Sequence, residues 1–274
     1  MNMTGQELFF FDQISLSHLV TEHAAGYRAA MPFPHVVLNN FLPPATADVL
    51  ETSFPYPTEI TWKDKTHEHS KKLACQNDTL FPPAIRYILS QFNSSVFIRF
   101  LEQLTGIQNL LPDPHYEGGG MHQIEPGGYL DIHADFNRHH VFQLERRLNL
   151  LFYLNKNWPE EYGGHLELWG NDMTQCEKKI LPIFNRCVIF STSDSSFHGH
   201  PAPLACPHGM TRKSLAMYYY TNDRPINELS PAHSTLYRNG YKNVSRKNSL
   251  QYIAKRIIPP IIFDSARIIW KNIK

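Results

Sequence analysis

From Gly118 onward the chain is a succession of short β-type runs cut by Gly, Pro and Asn: GGMHQIEPGGYLDIHADF, RRLNLLFYLN, GGHLELWG, KKILPIFNRCVIFST and RKSLAMYYYTN. Several strands at such spacing argue for a sandwich or a barrel. The preceding residues read differently. Residues 14–30 have the apolar spacing of a short helix, and PFPHVVLNNFLPP reads as a strand closed by Pro43 and Pro44, with a helix over ATADVLETSF. In PPAIRYILSQFNSSVFIRFLEQLTG, apolar residues recur at helical spacing from Ile85 to Leu104, predicting one long or two short helices ending at Gly106. The expected layout is mainly β with flanking helices: a helical and strand support region over 1–117, a β core over 118–225 and a tail over 226–274. The tail is basic and partly amphipathic, and is expected to be a terminal helix on the domain, broken by Pro259 and Pro260.

Within the β region, DIHADF places His133 and Asp135 two positions apart, so on a strand both side chains share a face. If that face is inward, both groups need a hydrogen bond or a bound partner. Alone, the pair reads better as a buried His–Asp hydrogen bond that holds the strand. A distant histidine in SSFHGHPAPLACPHGMTRKSL gives it weight, because two histidines and a carboxylate on one side of a metal leave the opposite positions open, as in non-heme Fe(II) oxygenases. A zinc site would use the same residue types. His198 and His200 are both candidates for the third ligand, since they share a face.

RKSLAMYYYT adds a second constraint. Arg212, Ser214, Ala216, Tyr218 and Tyr220 follow at period two, and an inward guanidinium needs an anion whose geometry its fork matches in a carboxylate. Lys213, pointing the other way, is the better surface residue. Tyr153, sharing a face with Asn149 and Leu151 in LNLLFYLN, could add a phenolic hydrogen bond. A metal with open sites beside a carboxylate anchor suits 2-oxoglutarate.

The stretch from Met121 to Asp223 resembles the Fe(II)/2-oxoglutarate-dependent dioxygenases, in their prolyl 4-hydroxylase-like branch. The likeness rests on PGGYLDIHADF, LFYLNKNWPEEYGGHLELW, FSTSDSSFHGHP and TRKSLAMYYY, in that order. It implies a double-stranded β-helix (jelly-roll, cupin-like) core, with His133, Asp135 and His198 as iron ligands and catalytic centre. It picks His198 over His200 because the family's histidine is followed by glycine. It implies Arg212 as the anchor of the 2-oxoglutarate distal carboxylate, with Tyr153 and Ser214 beside it. Gln123, standing where several relatives carry an active-site tyrosine, is a further candidate co-substrate contact. The implied reaction is hydroxylation of a peptide or small-molecule substrate with Fe(II), 2-oxoglutarate and O2, releasing succinate and CO2, with L-ascorbate as a possible reductant. Two departures stand out. The segment PAPLACPHG lengthens the loop before Arg212, and NRHHVFQLERR follows Asp135 where substrate-covering loops occur.

His139, His140, His165 and His208 read as loop or surface histidines, and Gly163–Gly164 as a tight turn feeding a strand. A formal net charge of +1 gives no reason to expect nucleic-acid binding. Four scattered cysteines without a C-x-x-C pair, no signal-peptide pattern and no long apolar run predict a cytoplasmic protein without stable membrane insertion. A cupin-like metal protein without 2-oxoglutarate turnover, or a non-catalytic scaffold, are the alternatives; the oligomeric state is open.

Overall fold

The computed structural model describes residues 11–238. The helices are α1 (Gln13–Ala29), α2 (Pro44–Thr52), α3 (Pro83–Phe92) and α4 (Ser95–Thr105). The strands are β1 (His35–Asn39), β2 (Lys63–Asp64), β3 (Ser70–Lys71), β4 (Leu73–Cys75), β5 (Leu111–Pro112), β6 (Gly120–Ile124) and β7 (Tyr129–Ala134). They continue with β8 (Glu145–Tyr153), β9 (Leu166–Trp169), β10 (Cys176–Ile180), β11 (Arg186–Ser191), β12 (Phe197–His200), β13 (Arg212–Thr221) and β14 (Leu236–Tyr237).

Local chemistry accounts for the helix ends. Asp12 accepts hydrogen bonds from the backbone N–H groups of Ile14 and Ser15 at the start of α1. Proline opens α2 and α3, where a missing N–H does no harm. The long apolar run divides into α3 and α4 because Ser94 caps the second helix, and Gly106, at φ +81°, ends it in the left-handed region.

The strands form two antiparallel sheets. One runs β1-β11-β8-β13-β6-β4-β2, with β5 also on β13; the other runs β10-β9-β12-β7-β14, with β3 also on β7. Alternation along β8 and β13 divides their side chains between two environments. Leu148, Leu150, Phe152, Leu215, Met217 and Tyr219 join the cluster that includes the apolar faces of α3 and α4. Their neighbours in the sequence turn the other way, into the space between the sheets. Burying each large apolar side chain under the helices contributes about 1.5–3 kcal/mol, so this alternation strongly sets which face looks inward.

Two features were not expected from the sequence. The N-terminal strands extend the main sheet, β1 at one edge and the short hairpin of β2 and β4 at the other. Residues 236–237, assigned to the tail on sequence grounds, pair with β7 as β14 and bring Tyr237 to 5.6 Å (ring centroids) from His133. The expected terminal helix broken by Pro259 and Pro260 lies outside the described residues. No helix among the described residues is long and apolar enough to cross a membrane.

Candidate metal and co-substrate site

His133 is the penultimate residue of β7, Asp135 follows the end of that strand directly, and His198 lies opposite His133 in the β7–β12 pairing. Their candidate ligand atoms all lie within 4.8 Å of one another. His133 Nε2 is 3.6 Å from Asp135 Oδ1, and His198 Nε2 is 3.4 Å from Oδ2, both long for a hydrogen bond. The cluster is therefore not held together as a simple His–Asp pair. His133 Nδ1 lies 2.8 Å from the Asp131 carbonyl and His198 Nδ1 lies 2.9 Å from that of Ser196. A carbonyl can only accept, so each Nδ1 carries the proton and each Nε2 offers its lone pair to the centre. Burial, the leading cause, pushes His198 down to about 4, so its imidazole is neutral at pH 7.

Asp135 is oriented from behind. Its Oδ2 accepts from Asn149 Nδ2 at 2.7 Å and faces Arg146 Nη2 at 3.0 Å. Burial works against its charge, but the Arg146 guanidinium, with His198, outweighs it and holds the carboxyl well below the usual carboxylate range. Arg146 is clamped in turn: it donates to Asn149 Oδ1 at 2.7 and 3.0 Å and lies over the rings of Tyr218 (3.5 Å) and Phe136 (4.4 Å). Two imidazoles that aim Nε2 at the centre and one ionised carboxylate suit a divalent first-row metal.

Arg212, Ser214 and His200 line the same cavity as the triad. Arg212 is buried; its Nε donates to the Gly164 carbonyl at 2.8 Å, and its Nη2 lies 3.3 Å from the Tyr153 hydroxyl. No carboxylate pairs with it among the described residues. Gly164 holds this contact by being glycine: at φ +70°, a Cβ there would stand 2.9 Å from Arg212 Cδ and 2.6 Å from Leu204. Ser214 lies across the strand pair from Tyr153, on the inward face. His200 is inward as well, but it stands apart from the triad, and neither of its ring nitrogens has a hydrogen-bond partner. Between the two histidines, a Cβ on Gly199 would lie 2.8 Å from the backbone carbonyls of β7, which explains the glycine after His198.

One expectation needs correction. Gln123 does not face the cavity: it donates to the Pro55 carbonyl and accepts from Thr211 on the opposite side of β6, and its neighbours His122 and Ile124 take the inward positions. His139 lies in a loop, as expected, but it is buried there, with Nε2 3.0 Å from Glu117 Oε2 and 3.7 Å from Asp113 Oδ2. His140 and His208 are exposed and His165 half-buried. Lys213 turns outward to Glu51, at 2.9 Å.

Sequence reasoning missed Arg146, His122 and Lys72. Period two from Asn149 points to Arg147, not Arg146. A bulge decides otherwise: Leu148 pairs with Tyr219 and Arg146 with Tyr220, so Arg147 is an extra residue and Arg146 comes into phase with Asn149. His122 had a legible signal, because an alternating strand with Gln123 outward must turn His122 inward.

Residues 119–220 match the family model described as the 2OG-Fe(II) oxygenase superfamily. No curated protein sequence matches the chain. Among solved structures, a Pseudomonas putida prolyl-4-hydroxylase is similar at 15% identity and a TM-score of 0.52, over 74% of this chain and 99% of that one. A prolyl hydroxylase from Trichoplax adhaerens, solved with a hypoxia inducible factor peptide fragment, is similar at 18% identity and 0.52, over 80% and 94%. A non-heme alpha-ketoglutarate-dependent carbocyclase of nogalamycin biosynthesis, SnoK, is similar at 13% identity and 0.51, over 80% and 94%. At these identities the likeness establishes the fold, a jelly roll carrying this cavity between its sheets. Residues 119–220, which carry the His–Asp–His cluster beside a buried arginine, are thus the part of the chain that is similar to the 2OG-Fe(II) oxygenase superfamily.

Proposed function

We propose that this domain is an Fe(II)- and 2-oxoglutarate-dependent dioxygenase that hydroxylates a peptidyl (prolyl-type) or amino-acid-like substrate. His133 and His198 would hold the metal through Nε2 and Asp135 through its carboxylate. Bound iron supplies the oxidising chemistry that couples O2 and 2-oxoglutarate to substrate hydroxylation, with release of succinate and CO2. The chain's own groups orient and insulate. Arg146 and Asn149 keep Asp135 ionised and aimed, Arg212 receives the distal carboxylate of 2-oxoglutarate, and Tyr153 and Ser214 flank that anion.

The observation that carries this reading is Arg212. A buried guanidinium held by a backbone carbonyl and a phenol, with no carboxylate partner among the described residues, is costly unless an anion joins it. A cupin-like metal protein without 2-oxoglutarate has no use for that arrangement. The test is anaerobic calorimetry with Fe(II) and 2-oxoglutarate, alongside CO2 release from the co-substrate. One metal per chain and 2-oxoglutarate binding that depends on Arg212 are expected; binding indifferent to Arg212→Ala would sink the reading.

The prolyl hydroxylase neighbours support a peptide or small-molecule substrate. L-ascorbate, which the family resemblance implies as a reductant, belongs in the assay. Four free cysteines, three of them buried, support a reducing cytoplasm as the compartment.

A further inference from the structure

The triad's cavity opens into an outer cleft of about 400 Å³. One wall of that cleft is the hairpin of β2 and β4. Lys63 pairs with Ala74 and Asp64 with Leu73, and the Lys65 N–H donates to the Lys72 carbonyl at 2.9 Å. Lys65 therefore stands directly across from Lys72, with Lys63 two residues along on the same face. All three lysines line the cleft, while Asp64 takes the alternate, outward position.

Like charges directly opposite on a hairpin destabilise it, and these three have no ion pair among the described residues. On the opposing wall Asp135 favours the Lys72 charge, but both carboxylates there already have partners. Glu117 is engaged by His139 and His140, and Asp135 by Arg146 and the histidines of the triad. The cluster also bears on its own members. Burial, and then Lys63 beside it, pushes Lys65 below its usual range, and burial pushes Lys72 down to about 8, which leaves it mostly charged at pH 7. The chain's overall charge of +1 conceals this segregation. Phe136, Tyr218 and Tyr237 give the same cleft an aromatic side.

A cationic cluster that weakens its own hairpin and faces the centre of an oxygenase cavity fits a ligand, not the fold. We propose that the cleft takes a substrate carrying a carboxylate or phosphate group, and that Lys63, Lys65 and Lys72 bind that group. Arg212 already serves the co-substrate's distal carboxylate. Lys72 lines both chambers, but Lys63 and Lys65 line only the outer one, so they belong to the substrate. This inference rests on the dioxygenase reading for the identity of the inner ligand, and it selects the anionic members of the substrate class proposed there.

The test uses the full chain loaded with Ni(II) and 2-oxoglutarate, so that Arg212 is occupied and no turnover occurs. Calorimetry then compares two matched probe pairs: N-acetylglycine against N-acetylglycinamide, and methyl phosphate against trimethyl phosphate. The anionic member of at least one pair should bind about tenfold tighter or more at low salt, and the preference should shrink with added salt. The pair showing the larger preference tells carboxylate from phosphate. In Lys63→Gln/Lys65→Gln the preference should fall to about threefold or less, with 2-oxoglutarate affinity retained. The melting temperature should be unchanged or higher, because a like-charge contact is relieved; a purely structural role would lower it. Equal affinity within both pairs, no binding of any of the four, or a preference that survives the double substitution overturns the proposal. Failure of 2-oxoglutarate to bind the wild-type protein would instead count against the dioxygenase reading, and the same probe pairs applied to the metal-free chain would still report on the cleft.

Discussion

Two buried arginines line up along one cavity, and their surroundings differ. Arg146, near the His–Asp–His cluster, has its charge met within the protein: Asp135 balances it, Asn149 accepts from it and two aromatic rings cover its faces, with Nη1 alone left without a hydrogen bond. Arg212, at the inner end, meets a backbone carbonyl and Tyr153, through its hydroxyl and the face of its ring, and no carboxylate among the described residues. On the proposed reading the first arginine positions a metal ligand and serves the folded state. The second leaves its charge for something the chain does not supply. Removing each from its surroundings should therefore have opposite signatures, one in stability and metal binding, the other in co-substrate binding.

The largest effect is expected at the metal end. Asp135→Ala should abolish metal binding and also leave Arg146 buried without its counter-charge, destabilising the metal-free protein by about 3–5 kcal/mol. Denaturant melts and metal analysis of the purified variant check both parts, and full metal occupancy would show the ligand set to be wrong. Arg212→Ala should do the reverse. Metal affinity and fold stability should hold, while 2-oxoglutarate affinity drops by about 2–5 kcal/mol, with Arg212→Lys recovering part. Lys213→Ala is the control on the opposite face, where a partly exposed pair with Glu51 should contribute less than about 1 kcal/mol.

A smaller effect separates the two histidines of β12. His198→Ala should eliminate metal binding, whereas His200→Ala should keep the metal and weaken 2-oxoglutarate by about 1–3 kcal/mol, the range for one lost partner to a buried group. Loss of metal in His200→Ala, with retention in His198→Ala, would reverse the assignment.

The mildest expectation concerns pH. Burial holds His198, His200 and His122 below the ordinary imidazole range, so these rings stay neutral in the folded chain. The unfolded chain takes up their protons from about pH 6.5 downward, and so binds more protons than the folded one. Stability of the metal-free protein should thus be complete above about pH 7 and decline as the pH falls toward about 4, with Asp135 adding its loss at lower pH still. Calorimetric melts between these limits test it, and a flat profile would mean that the rings are not buried as neutral groups.

Much of the inner surface was legible in the sequence because strand alternation is local. In RKSLAMYYYT, period two separates Arg212 and Ser214 from Lys213, and in LNLLFYLN it groups Asn149 with Tyr153; the fold places all five accordingly. Alternation misled at the β8 bulge, where it pointed to Arg147, and Gln123 was misplaced by analogy, since its own strand turns it away from the cavity.

The remaining features depend on pairings between distant segments. Arg146 reaches Asp135 only because the β8–β13 register slips by one residue, and no local pattern in RRLN announces a bulge. The lysine wall exists because strands of two and three residues pair with each other and then with β6, a contact too short to leave a periodic signature. Tyr237 joins the site only when the chain returns to pair with β7. The sequence by itself thus determined which side of each long strand is polar, since that follows from backbone geometry one residue at a time. The tertiary structure decided which polar groups meet, because register is set by burial summed across strands that are far apart in the chain.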